Sequence, residues 1–401
     1  MKIVYAVGIA LGELAQAKAV AFYAKKRGDQ NIFVAKEPRL ISSIKDDGFE
    51  VIPTRDTSTT RKIVKRTEPD VLFLCNSKSV SIADDPILDK PPLPPQPLIC
   101  SLDSNWLFSQ DKRAFFTAPT WIDRIYIVMP SEIYQMGLME NGGHYKIPRL
   151  FKEKIHCLGF VPSGNRISTA ARERTRNSLK IRDNEKLIFV YFGFLEEVLA
   201  PTFFPILTEV IHQFSQNNKS IKVLFTGKYT LQEKWVIHGD WIKTEKEFNT
   251  HLVSADLIIQ HHGLGTLPKA IHNQVPTICL VPEIKKDIPY YKHSEYYEVE
   301  PFRRLNLCET LPCNITSSRS NKCMHFFLRD PERYPINGIS ISAQRLKRLL
   351  TDLLYDKRKI KSLQNAQREY FVGGEKNIYR DLIDSLAGMG RTFDVSKNGP
   401  H

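Results

Sequence analysis

Three observations predict a doubly wound α/β chain with two parallel-sheet domains. Short apolar, β-rich runs alternate with segments whose apolar residues recur at helical spacing, the pattern of strand-helix-strand units. The alternation occurs twice, in two series separated by a polar, basic stretch. A length of 401 residues also exceeds what one hydrophobic core usually organises, at roughly 100–200 residues per domain.

In the first series the predicted strands are KIVYAVGI (2–9), NIFVA (31–35), FEVIP (49–53), VLFLC (71–75), PLICSL (97–102) and RIYIVM (124–129). Between the first two lies GELAQAKAVAFYAKKRG (12–28), a helix closed by a glycine. The proline-rich DDPILDKPPLPPQP (84–97) cannot enter a sheet interior and reads as a loop. After KIHCLGFVPSGN (154–165), the polar and basic stretch 163–183 reads as a linker.

The second series gives strands KLIFVYFG (186–193), IKVLFTG (221–227), DLIIQHH (256–262) and PTICLVP (276–282). Helices at 201–216, 247–256 and 267–274 separate them, and residues 313–340 read as a long irregular insertion. From Ser342 the chain turns helical and basic, with leucines at i, i+3 and i+4 that favour packing onto the body. The divisions expected are 1–162, a linker at 163–183, 184–345, and C-terminal helices at 346–401 that pack back on the body.

Composition narrows the function. No run approaches the roughly 18 apolar residues of a membrane span, and the start reads as a strand running into a helix rather than a cleaved leader, so a cytoplasmic location is expected. Seven cysteines without a CxxC pair suggest neither a disulfide framework nor a zinc site; Cys75, Cys100, Cys157 and Cys279 lie in apolar runs and read as small buried hydrophobes. The net charge of +13 suits nucleic acid, an anionic membrane surface or a phosphorylated small molecule. No nucleic-acid module signature accompanies it, so nucleic acid is not expected. The basic C-terminal helices read first as a solvated face, with peripheral contact to an anionic membrane surface as the alternative. No motif speaks to oligomeric state.

The chemistry concentrates in QHHGLGTLPKA (260–270), where an apolar run ends in two histidines and a glycine-broken turn opens a helix. In parallel α/β sheets, ligands bind where strand carboxyl ends meet helix amino ends, because backbone N–H groups and a partial positive charge face outward there. Gly263 and Gly265 let the backbone approach a phosphate, Thr266 can cap the helix or donate to a phosphate oxygen, and a histidine adds a donor. Adjacent His261 and His262 point apart from an extended chain, and no carboxylate or cysteine lies at ligand spacing, so no metal site is expected.

These residues resemble the donor-binding segment of GT-B glycosyltransferases, the nucleotide-sugar-dependent class that includes the UDP-glycosyltransferases and the lipid II-forming GlcNAc transferases. The family pattern is His-x-Gly-x-Gly-Thr, a glutamate three residues later, and Gly-Val-Pro opening the next strand. Here it stands as His261, Gly263, Gly265 and Thr266, then Lys269, then Gln274-Val275-Pro276. The resemblance extends weakly along most of the chain, to 12–28 and 154–162. It implies two Rossmann-like domains with a cleft between them, the acceptor on the first and a nucleotide-sugar on the second.

The resemblance further implies that His261 and the 263–266 amides hold the donor diphosphate, and that Gly193 borders phosphate or sugar. Gly227 would border the nucleotide cleft, Trp241 and Ile242 would contact the base, and Asp287 would lie near the donor sugar hydroxyls. Two departures bear on chemistry. Lys269 replaces the ribose-binding glutamate and cannot accept a hydrogen bond; it reads as a solvated helix residue or as a charge contact to phosphate. Glu13 stands where inverting members carry a histidine base, and serves either as the base or as a helix-start acid; Asp103, at a strand end, is a turn cap or a substitute base. The implied activity is an inverting, metal-independent transfer of a sugar to an acceptor hydroxyl, with no cofactor. A nucleotide-sugar 2-epimerase or hydrolase of the same plan, or a non-catalytic partner subunit, are the alternatives.

Overall fold

The computed structural model describes residues 1–7, 11–54, 57–75, 97–103, 122–140, 152–162, 168–193, 196–217, 220–226, 233–239, 242, 244–261, 265–282, 294–317, 336–371 and 373–391. The chain forms two compact units, residues 1–164 with 372–401, and residues 165–371.

In the first unit, β1 (Lys2–Val7), α1 (Leu11–Lys25), β2 (Gln30–Ala35), α2 (Pro38–Asp46), β3 (Glu50–Pro53), α3 (Thr57–Thr67), β4 (Val71–Cys75), β5 (Leu98–Asp103), β6 (Arg124–Ile127), α4 (Ser131–Glu140) and β7 (Ile155–Cys157) follow in order. The seven strands pair in parallel in the order β3-β2-β1-β4-β5-β6-β7. Parallel sheets are covered on both faces, which is why VLFLC is apolar throughout and buried throughout. Helix α1 is built on small residues, and Ala17, Ala21 and Ala24 are fully buried. Its one buried cation, Lys18, lies 2.6 Å from Asp47 and 2.8 Å from the Ser43 hydroxyl, so the charge is paired where water is excluded.

The second unit runs α5 (Thr169–Ser178), β8 (Lys186–Tyr191), α6 (Glu196–Asn217), β9 (Ile221–Thr226), β10 (Val236–Gly239), α7 (Glu245–Ser254), β11 (Leu257–His261), α8 (Leu267–His272), β12 (Thr277–Pro282), α9 (Ser294–Arg304), β13 (Glu309–Ser317), β14 (Ile336–Ile341), α10 (Ala343–Leu354) and α11 (Lys357–Glu369). Its sheet order is β10-β9-β8-β11-β12-β13-β14, parallel except for the last pair. A final helix, α12 (Gly374–Gly388), belongs to the first unit.

Both sheets are pinned by the same device. The aspartate just before β4, Asp70, accepts the Lys2 amide of β1 at 2.8 Å, while its own amide donates to the Lys2 carbonyl. Before β11, Asp256 does the same to Leu187 of β8, at 2.8 Å in each direction. These strand pairs are where the order of each sheet reverses. Asp256 also binds Arg172 at 2.9 Å and Arg176 at 3.0 Å, and those arginines donate onward to the carbonyls of Val253, Ser254 and Ala255, the open end of α7.

Four expectations change. The stretch 163–183 contains a helix: Ser168 caps α5, whose arginines bind α7 and Asp256, so its basic composition reflects anchoring within the second unit rather than a linker. The insertion expected at 313–340 contributes the antiparallel pair β13 and β14 at its two ends. Strand β10, only four residues and carrying a histidine, has only the short apolar run Trp235-Val236-Ile237 to announce it. The C-terminal helices divide. Leucines of α10 join the second core, and α11 donates Gln367 to the carbonyls of Val275 and Leu307. Helix α12 instead binds the first unit through Tyr126 to Asp381 at 2.6 Å and Tyr379 to Asp29 at 2.7 Å. It starts at Gly374, where a Cβ would overlap the carbonyls of Gly159 and Phe160.

Removing the Asp256 carboxylate leaves two arginines without their counter-ion and an inner strand amide without its acceptor. Asp256→Ala should cost about 2–4 kcal/mol, the low end being set by the part-exposed Arg172. Urea unfolding followed by circular dichroism reads this as a lower midpoint, and an unchanged midpoint would contradict the role given to this carboxylate.

Candidate functional site

A crevice at the carboxyl ends of parallel strands, where the order reverses, is the default ligand position in such a sheet. In the second unit this is the edge reached by Tyr191, Thr226, Gly239 and His261. The β8 exit turns through Gly193, whose φ of +58° is a left-handed conformation that a side chain rarely adopts. The β11 exit reaches Gly265 and Thr266 before α8.

The polar groups at this edge are unusual for a core. Thr226, at the end of β9, is 1% exposed, and its hydroxyl has no hydrogen-bond partner among the described residues. Gln260 is fully buried; its amide donates to the Cys279 sulfur at 3.3 Å, while its Oε1 has no such partner. Buried polar atoms are normally satisfied, so both mark a place where another group completes the network. Sequence reading missed them, although a glutamine and a histidine at the end of an otherwise apolar strand were the available signal.

His261 is part-buried at the strand end, and desolvation pushes its imidazole down to about 4. At neutral pH it is therefore an uncharged donor or acceptor and not a cation. Thr266 is buried with helical backbone angles and makes no side-chain cap bond, so the capping role expected for it is not taken; its carbonyl receives the amides of Lys269 and Ala270.

Lys269 departs most from expectation. It is 6% exposed rather than solvated, with its ammonium 2.5 Å from Glu245 Oε2 and 4.8 Å from the centre of the Phe248 ring. A lysine in so dry a position needs a carboxylate, and the first turn of α7 supplies it. Phe248 packs on Tyr191 at 4.8 Å, and Ile242 packs against the same cluster. The structure thus joins Ile242, Glu245, Lys269 and Tyr191 at one edge.

His262, Gly263, Gly227, Trp241 and Asp287 lie outside the described residues. Glu13 occupies the first turn of α1 and Asp103 ends β5, both toward the carboxyl edge of the first sheet. Among the described residues no three histidine, cysteine, aspartate or glutamate side chains group to hold a metal, and no helix is long and apolar enough to cross a membrane. Cys157 is part-exposed where a buried position was expected, because β7 is an edge strand.

No family model matches the chain, and no curated protein matches it in sequence. Solved structures do. The spinosyn forosaminyltransferase SpnP superposes with a TM-score of 0.61 at 12% identity, over 96% of this chain and 99% of that one. The chain has the GT-B fold. The calicheamicin glycosyltransferase CalG4 matches at TM-score 0.54 and 12% identity, over 97% and 99% of the two chains. A putative UDP-N-acetylglucosamine 2-epimerase from Listeria monocytogenes matches at 0.58 and 9% identity, over 98% of each. The two seven-stranded sheets, mostly parallel, agree with the expected fold class.

Burial of a neutral imidazole has a testable sign. Between pH 6.5 and 4 the unfolded chain binds a proton that folded His261 refuses, so its contribution to stability is complete above about 6.5 and is lost as pH falls toward 4. NMR titration of the His261 ring nitrogens should show protonation near 4; a midpoint near the ordinary 6.5 would contradict the burial.

Proposed function

We propose that the chain is an inverting glycosyltransferase that moves a sugar from a nucleoside-diphosphate sugar to an acceptor hydroxyl. The observation that carries the reading is the carboxyl edge of the second sheet. There the buried side-chain oxygens of Thr226 and Gln260 have no hydrogen-bond partner among the described residues, within a fold shared with glycosyltransferases. The diphosphate is assigned to the 263–266 turn and His261, and the base to Ile242 with Trp241. Neutral His261 donates a hydrogen bond to a phosphate oxygen as the nucleoside diphosphate leaves, and backbone amides of the turn stabilise the charge that develops on it. No step is assigned to a metal ion. In the first unit Glu13 is assigned as the base that takes the acceptor proton, with Asp103 next in line.

The match to a 2-epimerase of comparable TM-score supports a second reading, an enzyme that turns over the nucleotide-sugar alone. The two separate on acceptor dependence. A transferase releases nucleotide rapidly only when an acceptor is present, whereas an epimerase or hydrolase does so without one. A non-catalytic nucleotide-sugar-binding subunit would bind the donor and release nothing.

A side chain at Gly265 obstructs the backbone's approach to phosphate. Gly265→Val should abolish calorimetric binding of a nucleoside diphosphate that saturates the parent chain, and unchanged affinity would remove the diphosphate from this turn. Glu13→Gln keeps the side chain's size without its basicity, so kcat should fall by about 10²–10⁴-fold with donor affinity nearly unchanged. Near-normal turnover would leave Glu13 as a helix-start acid only.

A further inference from the structure

We propose that α11 docks on an anionic membrane surface through a row of cations, Lys357, Arg358 and Lys361, with Arg368 at its far end. Residues 342–371, which make up α10 and α11, hold eight lysines and arginines against three acids. Two of those acids are already engaged. Asp352 binds Lys359 at 2.5 Å, and Asp356 caps α11 by accepting the amides of Arg358 and Lys359. The side chains of Lys357, Arg358 and Lys361 are exposed and have no hydrogen-bond or ion-pair partner among the described residues. Other arginines of this unit are put to structural use, as Arg172 and Arg176 are on Asp256.

The row also works against its own helix. Helix α11 begins Lys357-Arg358-Lys359, three cations in a first turn that holds no acid. That end of a helix carries a partial positive charge, so acids are favoured there and cations disfavoured. One capping acid, Asp356, faces all three. Lys357 and Lys361 add a like-charge pair at i and i+4, which is destabilising as well. A face that only needs to be wet would be as well served by glutamine or glutamate, so these charges break a local rule that an external anionic surface would satisfy.

The placement suits a plane. Lys357, Lys361 and Arg368 lie within about 40° of one another around the axis and span about 16 Å along it. On the opposite face Leu363 and Gln367 are buried, and Gln364 and Gln367 donate to the carbonyls of Gln274, Val275 and Leu307. The row therefore stands on a helix clamped to the body. No aromatic side chain occurs in 357–369, where stacking on a single-stranded nucleic acid would require one. Lipid headgroups need only charge, and each basic residue near an anionic leaflet adds to the attraction.

The test is co-sedimentation of the full-length chain with phosphatidylcholine vesicles and with equimolar phosphatidylcholine–phosphatidylglycerol vesicles. The parent should pellet with the anionic vesicles and not with the neutral ones, and added salt should release it. Lys357→Gln with Arg358→Gln and Lys361→Gln should weaken that binding by about 100-fold, as expected for three basic residues at an anionic surface. The same loss of charge from the exposed cations of α3, Lys62→Gln with Lys65→Gln and Arg66→Gln, should leave binding nearly unchanged, which separates the row from the overall charge. In urea the α11 variant should keep or raise the parent's midpoint, because the cations removed are disfavoured where they stand. A lower midpoint, an equal weakening by the α3 variant, or a parent that pellets with both vesicles alike or with neither overturns the proposal. So does a parent that binds a single-stranded RNA and not the vesicles.

Discussion

The carboxylate of Asp256 is the interaction on which the second unit depends. It closes a two-way hydrogen-bond pair with Leu187, which sets the register of β8 against β11, and it neutralises two arginines that secure α5 to the carbonyl end of α7. Asp70 performs the register-setting half of this task between β1 and β4 in the first unit. Two sheets with little sequence in common are thus started by one device, an acidic residue placed one position before the strand that lies across the reversal. A short carboxylate suits the position because it can accept a neighbouring strand amide while its own backbone continues the ladder.

Fixing the amino edge decides what the carboxyl edge can do. At the amino edge of the second sheet a recess of about 510 Å³ is lined by Arg172, Lys186, Asp256, Gln274 and Leu354, but its central charges already serve one another. At the opposite edge the buried oxygens of Thr226 and Gln260 have no partner among the described residues, and the Lys269–Glu245 pair brings charge into a nearly dry position. Buried charge is costly and is retained only when paired, so a lysine within an apolar turn is informative. The charges of the amino-edge recess pair with one another, whereas the oxygens of Thr226 and Gln260 are the candidates for contact with a ligand.

The legible parts of the fold were those with strong periodicity. Apolar strands such as VLFLC and LIIQH stood out because parallel strands are buried on both faces, and α1 and α10 because their apolar residues follow helical spacing. What was hidden depended on contacts remote in sequence. Helix α5 looked like a linker because its arginines bind carbonyls some 80 positions away. The return of α12 to the first unit rests on Gly374 and two tyrosine-aspartate bonds that no local pattern announces. In the site, His261 and Gly265 were visible as a motif. Lys269 was visible as a departure, but its partner Glu245 was 24 positions upstream and could be found only once α7 and α8 were placed together.

The central claim is that the carboxyl edge of the second sheet holds a nucleoside diphosphate while the amino edge is structural. Hydrogen-deuterium exchange of the intact chain with and without a saturating nucleoside diphosphate tests it directly. Slowed exchange is expected in 242–248 and 261–270, with no change in 168–187 or at Asp256. Protection at the amino-edge segments, with 261–270 unaffected, would contradict it.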